Sequence, residues 1–543
     1  MNIKGPKGFH LNAALLKNPF AAAFLGVIAV AAVQFLCTGR VPLSGDEAYY
    51  WMWSKRLALG YYDHPPMVAW MIAIGTAILG DTPQGARLMS VVLSACTSLL
   101  LFSLCYRISR KETVAFGALF LYWIIPFLAV ESVMTIPDAG LIFFWTLSMT
   151  LFYDALLGKR RWTSWFLGGI TWALAFYAKF TALIFLPSLL LFLIISPSGR
   201  QALRHRGPWL SIAAAILTLI PYILWNVSNQ WISLQFQLMT RHVVLGATSS
   251  HVLKYILLQS AALSPLMPLL FIYVIWKAVR AKSSPHREAF LYLISMSVPT
   301  YLFFLYVSLH ELVEINWPVA GALGLVVLTP LVILDQQDGR ERKRDLVLAG
   351  AAAAFAMLFM ILIYSVCLNP ETVVQISSRY PGDNNPGNGF TMLYGYSDAP
   401  RHMEMVRSQF KGDFIVASDI NFLSAILSFH SGQYIHMCYG NLQGSEYRKW
   451  ESEYNLKGRD MLYVTIDRWG SREDVVKLLQ RTCREVKPLE PWKLMWRGHF
   501  CGELYPVMCR NLVAPAVLFP SNALWRGEDK VPAPAQSNSG AGK

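Results

Sequence analysis

The sequence predicts an α-helical protein that crosses a membrane about eleven times and carries a smaller α/β domain after its last membrane span. Three observations lead to this prediction. Hydrophobic residues make up 55% of the 543 residues and charged residues only 15%, whereas soluble domains contain about 25% charged residues. Apolar runs of about 20 residues, the length that crosses the hydrocarbon core, recur through the first two thirds of the chain. After residue 367, short strand and helix patterns alternate.

The apolar runs define the predicted spans, because each is mostly apolar and nearly free of charge. They are residues 19–38, 86–106, 113–131, 138–157, 162–178, 180–196, 208–225, 253–276, 289–309, 316–334 and 346–367. The first run follows Lys4, Lys7 and Lys17 and so resembles a signal peptide. It is long for the apolar core of such a peptide, and many spans follow it. We therefore expect an uncleaved first helix.

Lysine and arginine residues are concentrated in the loops that follow every second predicted span. These clusters lie at residues 107–111, 159–161, 200–206, 277–287 and 340–344. Because cytoplasmic loops carry the excess of Lys and Arg, the alternation predicts a cytoplasmic N-terminus, and an odd number of spans places the C-terminal region outside. The net charge of +14 is scattered between apolar runs, which argues against a nucleic-acid partner.

One apolar stretch, residues 67–79, is too short to cross a membrane. Pro65 and Pro66 precede it, and Gly-Asp-Thr-Pro follows at residues 80–83. We expect this helix to lie in the interface or to re-enter from outside. Residues 39–85 then form a large outer loop with its own helical structure.

The C-terminal part divides into a predicted α/β domain, residues 368–526, and a predicted disordered tail, residues 527–543. Residues 413–419 and 460–467 are typical of strands, and residues 421–430 of a helix. Residues 1–367 form the membrane domain.

Four cysteines lie in this outer domain: Cys438, Cys483, Cys501 and Cys509. Because the outer compartment is oxidising if the topology is right, we expect at least one disulfide. Four cysteines allow three pairings, and we favour Cys483 bonded to Cys501 or Cys509.

Titratable and aromatic residues are concentrated in the first outer loop. The titratable residues are Asp46, Glu47, Asp63 and His64, and the aromatic ones are Tyr49, Tyr50, Trp51, Trp53, Tyr61 and Tyr62. An interfacial aromatic belt with solvated acids has a similar composition. A functional site is favoured by two acids at a helix start, where backbone N–H groups hold anions, and by rings on which sugars can stack.

Further candidate residues lie on the same outer face. Asp138 follows Pro137 at the start of the fourth span, where it could equally serve as a helix cap. Lys179 lies in an outer turn, where it needs an anionic partner such as phosphate or extends to the lipid headgroups. Arg241 could bind a phosphate bidentately or be solvated.

The outer stretch 310–318 reads HELVEINWP and contains Asn316 and Trp317. Its His and two Glu are only a weak metal-binding pattern, and we predict no metal ligand. No nucleotide-binding motif is present. Since ATP and sugar nucleotides are absent from the outer face, a group-transfer enzyme there needs an activated donor delivered by the membrane.

These motifs resemble those of the GT-C superfamily of polyprenyl-phosphate-sugar glycosyltransferases. The closest likeness is to the bacterial branch related to protein O-mannosyltransferases and to the lipid A aminoarabinose and galacturonic acid transferases. The matching residues are Gly45 to Trp51, Gly60 to Pro66, Pro137 with Asp138, Lys179, and Asn316 to Pro318. The resemblance covers residues 15–335, whereas the C-terminal domain matches in position only.

The resemblance implies catalytic roles for Asp46, which matches the family's first-loop acid, and for Asp138, which matches its second acid. Lys179 falls where relatives place a lysine near the donor phosphate. His64 replaces a phosphate-contacting lysine of the aminoarabinose transferases, and histidine is mostly neutral at pH 7. The expected substrate-binding residues are Glu47, Asp63, His64, Lys179, Arg241, Tyr49, Tyr62, Asn316 and Trp317.

The resemblance also implies the activity and its place. The expected enzyme is a multi-pass protein of the bacterial inner membrane with its C-terminal domain in the periplasm. It transfers a sugar from a polyprenyl-phosphate donor to a lipid or glycan acceptor such as lipid A or the lipopolysaccharide core. Family members differ over a divalent metal, and no cofactor is assigned.

Two alternatives stay open: a protein O-glycosyltransferase of the same fold, and a transporter of lipids or solutes. Transporters usually show internal repeats and polar breaks at the membrane midplane. Here the unusual polar residues lie in outer loops instead.

Overall fold

The computed structural model divides the chain into two compact units, residues 1–373 and 374–543. It describes residues 18–158, 162–240, 249–335, 339–379, 389–410, 412–438, 445–451, 454–466, 470–471 and 473–515. The predicted disordered tail, residues 527–543, lies outside the described residues. Each unit is described by itself below.

The first unit is helical. Its described helices are α1 (Pro19–Thr38), α2 (Gly45–Ser54), α3 (Met67–Leu79), α4 (Pro83–Ser109), α5 (Glu112–Ile124), α6 (Pro126–Glu131), α7 (Pro137–Leu156), α8 (Trp162–Ala178), a 3₁₀ turn (Phe180–Ile184), α9 (Phe185–Ile195), α10 (Pro197–Ala202), α11 (Gly207–Ser228), α12 (Ile232–Gln235), α13 (Ser249–Leu263), α14 (Met267–Arg280), α15 (Arg287–Val307), α16 (Gly321–Ile333) and α17 (Arg340–Leu368). Helix α18 (Pro370–Arg379) crosses the boundary between the units in sequence. Several helices begin with proline in the first turn, where its missing N–H costs nothing.

Six helices in the described part of the chain are long and apolar enough to cross a membrane: α1, α4, α7, α11, α15 and α17. A seventh span is possible if the pair α13 and α14, bent by 91°, counts as one. Every predicted run overlaps a helix or helix pair, but the count of about eleven spans is not confirmed. The run 113–131, for example, is divided into α5 and α6, and Pro126, which lacks a backbone N–H, begins the second helix.

The predicted outer loop, residues 39–85, contains two helices, α2 and α3, in agreement with the helical structure expected there. Helix α2 begins at a capping box in which Ser44 and Glu47 exchange hydrogen bonds. Helix α3 occupies the short apolar run and ends at Gly80, whose φ of 72° is readily adopted by glycine. Met67, Met71 and other side chains on one face of α3 are buried, so this helix packs on the bundle.

The second unit is an α/β domain, which confirms the strand-containing domain expected after the last helix of the bundle. Its elements are α19 (Gly389–Gly395), α20 (Ala399–Gln409), β1 (Phe414–Ser418), α21 (Asn421–Ser431), β2 (His436–Met437), α22 (Ser445–Glu451), β3 (Asp460–Thr465), α23 (Glu473–Thr482), β4 (Cys483–Pro488), β5 (Trp492–Trp496) and β6 (His499–Leu512). The sheet order is β2-β1-β3-β6-β4, and β5 pairs with β6. Strands β1, β2 and β3 are parallel, whereas β6 runs antiparallel to β3, β4 and β5.

A disulfide joins Cys483 on β4 to Cys509 on β6, with their Cα atoms 5.8 Å apart. This confirms the expected disulfide and selects one of the two favoured partners. Cys438 and Cys501 are free and buried. Closing a loop of this length typically stabilises a domain by about 3–4 kcal/mol.

We expect alkylation of the unfolded, unreduced protein to label Cys438 and Cys501 and to leave Cys483 and Cys509 unlabelled, because a disulfide blocks both sulfurs. Mass spectrometry of the peptides checks this, and prior reduction, which should expose all four, is the control. Labelling of all four cysteines without reduction would contradict the disulfide.

Candidate active site

The two acids at the start of α2 occupy opposite environments. Asp46 is exposed, whereas Glu47 is completely buried. The difference arises because successive side chains on a helix point about 100° apart. The Ser44 backbone N–H donates to Glu47 Oε2 at 3.0 Å, and the Glu47 N–H donates to Ser44 Oγ. This capping box fixes where α2 begins and therefore where Asp46 lies.

Glu47 forms a buried ion pair with Arg87 on α4. Arg87 Nε lies 2.7 Å from Glu47 Oε1, and Arg87 Nη2 lies 2.6 Å from Glu47 Oε2. The other Arg87 donors bind backbone carbonyls of residues 38–42. Burial raises the pKa of Glu47, but the Arg87 charge and hydrogen bonds, with backbone N–H groups of Ser44 and Thr135, outweigh burial and hold that pKa below its usual value.

Glu47 also connects the first outer loop to the loop that precedes α7. The Thr135 N–H donates to Glu47 Oε1 at 3.0 Å, and the Thr135 hydroxyl lies 2.7 Å from the Ser90 hydroxyl on α4. The segment that leads to Asp138 is thus anchored to Ser90 and to Glu47, which also caps α2. Glu47 therefore links the position of Asp46 to that of Asp138.

Three residues that are distant in sequence meet at the start of α7. Lys179 Nζ lies 2.8 Å from both carboxylate oxygens of Asp138, and Asn316 Nδ2 donates to Asp138 Oδ2 at 2.8 Å. Asp138 is completely buried and Lys179 is 5% exposed. Asp138 enters the first helical turn because Pro137 begins α7. The Asp138–Lys179–Asn316 cluster therefore joins the start of α7, the residue that follows α8 and the turn between α15 and α16.

Glu131, the last residue of α6, is also buried. The charges of Asp138, Lys179 and Glu47 all act on it. Sequence reasoning assigned no role to Glu131 or Arg87. Lys179 was selected because it is a charged residue at the outer end of a predicted span. Glu131 and Arg87 are also charged residues at the outer ends of predicted spans.

The aromatic residues of the outer loop pack mainly on one another. The rings of Trp53 and Tyr61 stack with centroids 4.3 Å apart, and Tyr49 meets Trp53 edge-on at 5.0 Å. Tyr62 contacts Phe236 at 4.7 Å. Tyr49 and Tyr62 are buried, so they support the loop in this structure. Their contact with a substrate stays a prediction.

Asp63 and His64 are also buried, in the turn between α2 and α3. The His64 ring lies 6.0 Å from that of Tyr50. Preceding them, Gly60 packs so closely that a Cβ atom there would lie 2.4 Å from the Trp225 ring on α11. The turn therefore sits against the bundle, and a larger residue at position 60 would displace it.

The remaining predicted residues are placed as follows. Trp317 is buried and contacts Phe304 on α15, with ring centroids 5.8 Å apart. Arg241 lies outside the described residues. Within the described ranges, no three or more His, Cys, Asp or Glu side chains are arranged to hold a metal ion. We derive no metal-dependent step.

Comparisons with known proteins show which enzymes the chain is similar to. The family model described as dolichyl-phosphate-mannose-protein mannosyltransferase matches residues 63–225. The lipid A galacturonosyltransferase RgtD of Rhizobium johnstonii is 26% identical over 60% of this chain and 67% of its own length. The undecaprenyl phosphate-α-4-amino-4-deoxy-L-arabinose arabinosyl transferase of Pseudomonas aeruginosa is 30% identical, over 34% of this chain and 33% of that enzyme.

A solved structure shares the fold over nearly the whole chain. The crystal structure of ArnT from Cupriavidus metallidurans bound to undecaprenyl phosphate matches with a TM-score of 0.59 at 15% identity. The match covers 89% of this chain and 97% of that one. This likeness confirms the GT-C fold expected from the sequence motifs.

The chain is a multi-pass membrane glycosyltransferase, as its similarity to named glycosyltransferases indicates, and its fold is that of the GT-C class. Within that class, the resemblance to the lipid A galacturonic acid and aminoarabinose transferases and to the protein mannosyltransferases is confirmed.

Proposed function

We propose that this chain transfers a sugar from a polyprenyl-phosphate donor to lipid A, or to a related envelope glycolipid, on the periplasmic face of a bacterial inner membrane. The Asp138–Lys179–Asn316 cluster carries the proposal. Three residues predicted from separate outer loops meet within hydrogen-bonding distance. The donor class and the acceptor follow the similar lipid A enzymes.

Asp46 is the general base in this proposal. It is exposed at the start of α2 and so is accessible to an acceptor. Asp138 is less suited to this role, because it is buried and both its oxygens accept hydrogen bonds from Lys179 or Asn316. We assign Asp138 to positioning Lys179.

The reaction is a single displacement at the anomeric carbon of the sugar. The acceptor hydroxyl oxygen bonds to that carbon while the bond from the carbon to the phosphate oxygen breaks. The hydroxyl proton passes to Asp46, and polyprenyl phosphate leaves with the electron pair. Because such transition states resemble an oxocarbenium ion, the enzyme must chiefly supply a base and balance the charge on the departing phosphate.

Lys179 is suited to face that phosphate. An ammonium group has three donors, and Asp138 takes two of them. The third is available for a phosphate oxygen, while Asp138 keeps the lysine oriented. Contacts of His64 and Arg241 with the phosphate stay part of the proposal.

We expect Lys179→Ala to raise the KM for the donor about tenfold to hundredfold, the typical worth of a hydrogen bond to a charged group. It also leaves the buried Asp138 charge without its cation, so the variant should be less stable. The double variant Lys179→Ala with Asp138→Asn separates the effects, because it removes that charge. The thermal unfolding temperature of the double variant should return towards that of the parent, while its KM for the donor stays high. Recovery of donor KM would contradict the phosphate contact.

The topology proposed with this function is a cytoplasmic N-terminus and a periplasmic second unit. Two groups of contacts support it. The outer-loop residues Asp138, Lys179 and Asn316 meet at one end of the bundle. At positions assigned to the cytoplasm, Asp335 pairs with Lys111 at 2.6 Å and with His286 at 2.8 Å. Residues that the charge pattern assigns to the same side of the membrane thus meet one another.

Reporter fusions test the topology. We expect fusions after residues 160, 204, 282 and 342 to report the cytoplasm, because each lies in a basic loop. A fusion after residue 400 should report the periplasm. A cytoplasmic signal from that last fusion would refute the orientation.

The activity is tested by comparing a deletion strain with its parent. We expect lipid A of the deletion strain to lack the mass of one sugar, as measured by mass spectrometry of extracted glycolipids. The matching mannosyltransferase family supplies the second candidate, a protein O-glycosyltransferase. Unchanged glycolipids together with lost protein glycans would favour that enzyme. Failure of the purified protein to transfer sugar in either assay would favour the transporter alternative.

A further inference from the structure

Glu131 is a buried acid in the candidate site that lacks the compensation given to its neighbours. Its side chain is 3% exposed. Within the described part of the chain, its Oε2 atom has no hydrogen-bond partner. The neighbouring acids are compensated differently, since Glu47 pairs with Arg87, and Asp138 with Lys179.

A buried carboxyl of this kind lowers the stability of the folded protein. A buried carboxyl without a partner loses its hydration and gains nothing in return. The rest of α6 is Pro-Phe-Leu-Ala-Val, so an apolar residue at position 131 would continue the pattern of the helix. A residue that lowers stability at a site is typical of function.

The chain that follows Glu131 is held at two points. Four residues later, Thr135 is bound to Glu47 and Ser90. Beyond it, Asp138 is held by Lys179 and Asn316. A carboxyl on such a braced segment is preorganised for a ligand.

The chemistry of the substrates restricts what Glu131 can bind. The donor phosphate is already assigned to Lys179 in the proposed function. The prenyl chain has no hydrogen-bond donor. The transferred sugar carries hydroxyl groups and, in an aminoarabinose donor, an ammonium group. It is also attached directly to the phosphate assigned to Lys179, whose charge acts on Glu131.

We propose that Glu131 recognises the transferred sugar, with its buried carboxyl accepting a hydrogen bond from a sugar hydroxyl or ammonium group. This inference rests on the proposed function. It makes Glu131 a determinant of sugar recognition, separate from the base Asp46 and from the phosphate contact of Lys179.

The test is Glu131→Met, which has a similar shape and no acceptor oxygen, with Glu131→Gln as a variant that keeps one. We expect Glu131→Met to lower the kcat/KM for the donor about tenfold to hundredfold, the typical worth of a hydrogen bond to a charged group. The KM for the acceptor should be unchanged. Glu131→Gln should lose less. The donors are undecaprenyl phosphate carrying 4-amino-4-deoxy-L-arabinose or galacturonic acid, with lipid A as acceptor.

Two readouts separate recognition from a structural role. Thermal unfolding without substrate should be unchanged or raised in Glu131→Met, because a buried unpaired acid is removed. Undecaprenyl phosphate without a sugar should stabilise the variant and the parent equally. The matched control is Asp345→Asn: Asp345 is a buried acid paired with Lys277 and Tyr273. It should lose stability and keep the kcat/KM of its folded fraction.

The outcomes are distinguishable. An unchanged kcat/KM for the donor in Glu131→Met overturns the inference. A change in kcat/KM for the acceptor alone also overturns it. If Glu131→Met fails to fold while Glu131→Gln keeps full stability and activity, the role is structural and the inference fails. If the parent transfers sugar from neither donor, while a protein glycan is lost from the deletion strain, the lipid A function itself is wrong.

Discussion

Asp46→Asn is expected to lower the rate of sugar transfer by about 10²–10⁴-fold, the typical contribution of a general base. The substitution keeps the shape and hydrogen-bonding capacity of the side chain but removes the proton acceptor. Folding should be preserved, because Asp46 is exposed and the capping box of α2 is formed by Ser44 and Glu47. The measurement is transfer from a polyprenyl-phosphate sugar by the purified protein, with thermal unfolding measured in parallel.

Asp81→Asn is the matched control for this prediction. Asp81 is an acid of the same outer loop, paired with Lys55 and bonded to the Trp51 ring nitrogen. It has the same charge and a partly exposed side chain, and it lies outside the proposed machinery. We expect near-parental transfer. If Asp46→Asn is well folded and turns over like the parent, the base is wrongly assigned.

The Asp138–Lys179–Asn316 cluster shows what the sequence could predict. A charged residue near the outer end of a membrane span is conspicuous against an apolar background, and burial there requires a partner. The sequence therefore identified Asp138 and Lys179 separately. It could not show that they are each other's partners, because residues 41 positions apart become neighbours only through the packing of α7 on α8.

Glu47 shows where the same reasoning was insufficient. Its neighbour Asp46 has the same charge, and the sequence suggested a substrate contact for Glu47. Which side of α2 faces the bundle depends on Arg87, whose contribution appears only in the packed structure. The Glu47 contact with substrate stays a prediction, but both its oxygens are engaged by protein groups.

The aromatic residues of the outer loop illustrate a similar limit. Their composition predicted a surface on which sugars stack. In the structure, Trp53 is completely buried and stacks on Tyr61. Tyr and Trp rings suit both a sugar platform and a loop core, since they combine a large apolar face with a polar edge. Composition alone does not distinguish the two uses.

Glu47→Gln should destabilise the protein strongly, by about 3–5 kcal/mol, because removing one partner of the buried Glu47–Arg87 ion pair leaves the other charge uncompensated. Arg87 would keep its bonds to the carbonyls of residues 38–42 but lose its counter-charge. The measurement is thermal unfolding in detergent, with transfer activity expressed per folded protein.

The double variant Glu47→Gln with Arg87→Met tests that mechanism. It removes both charges, so it should be more stable than the sum of the two single losses predicts. Recovery should be partial, because the carbonyls of residues 38–42 lose their donor. Strictly additive losses would show that the pair is not energetically coupled.

The pH dependence gives an independent check on Glu47. Its pKa in the folded protein lies below its usual value, so the folded state favours the ionised form more than the unfolded chain does. The stability it contributes should be present above about pH 4.3, the usual pKa of glutamate, and be lost as pH falls through the lower folded value. Glu47→Gln removes this titration, so the stability difference between parent and variant should shrink under acid. A difference that stays constant from neutral to acid pH would show that the ion pair does not stabilise the outer loop.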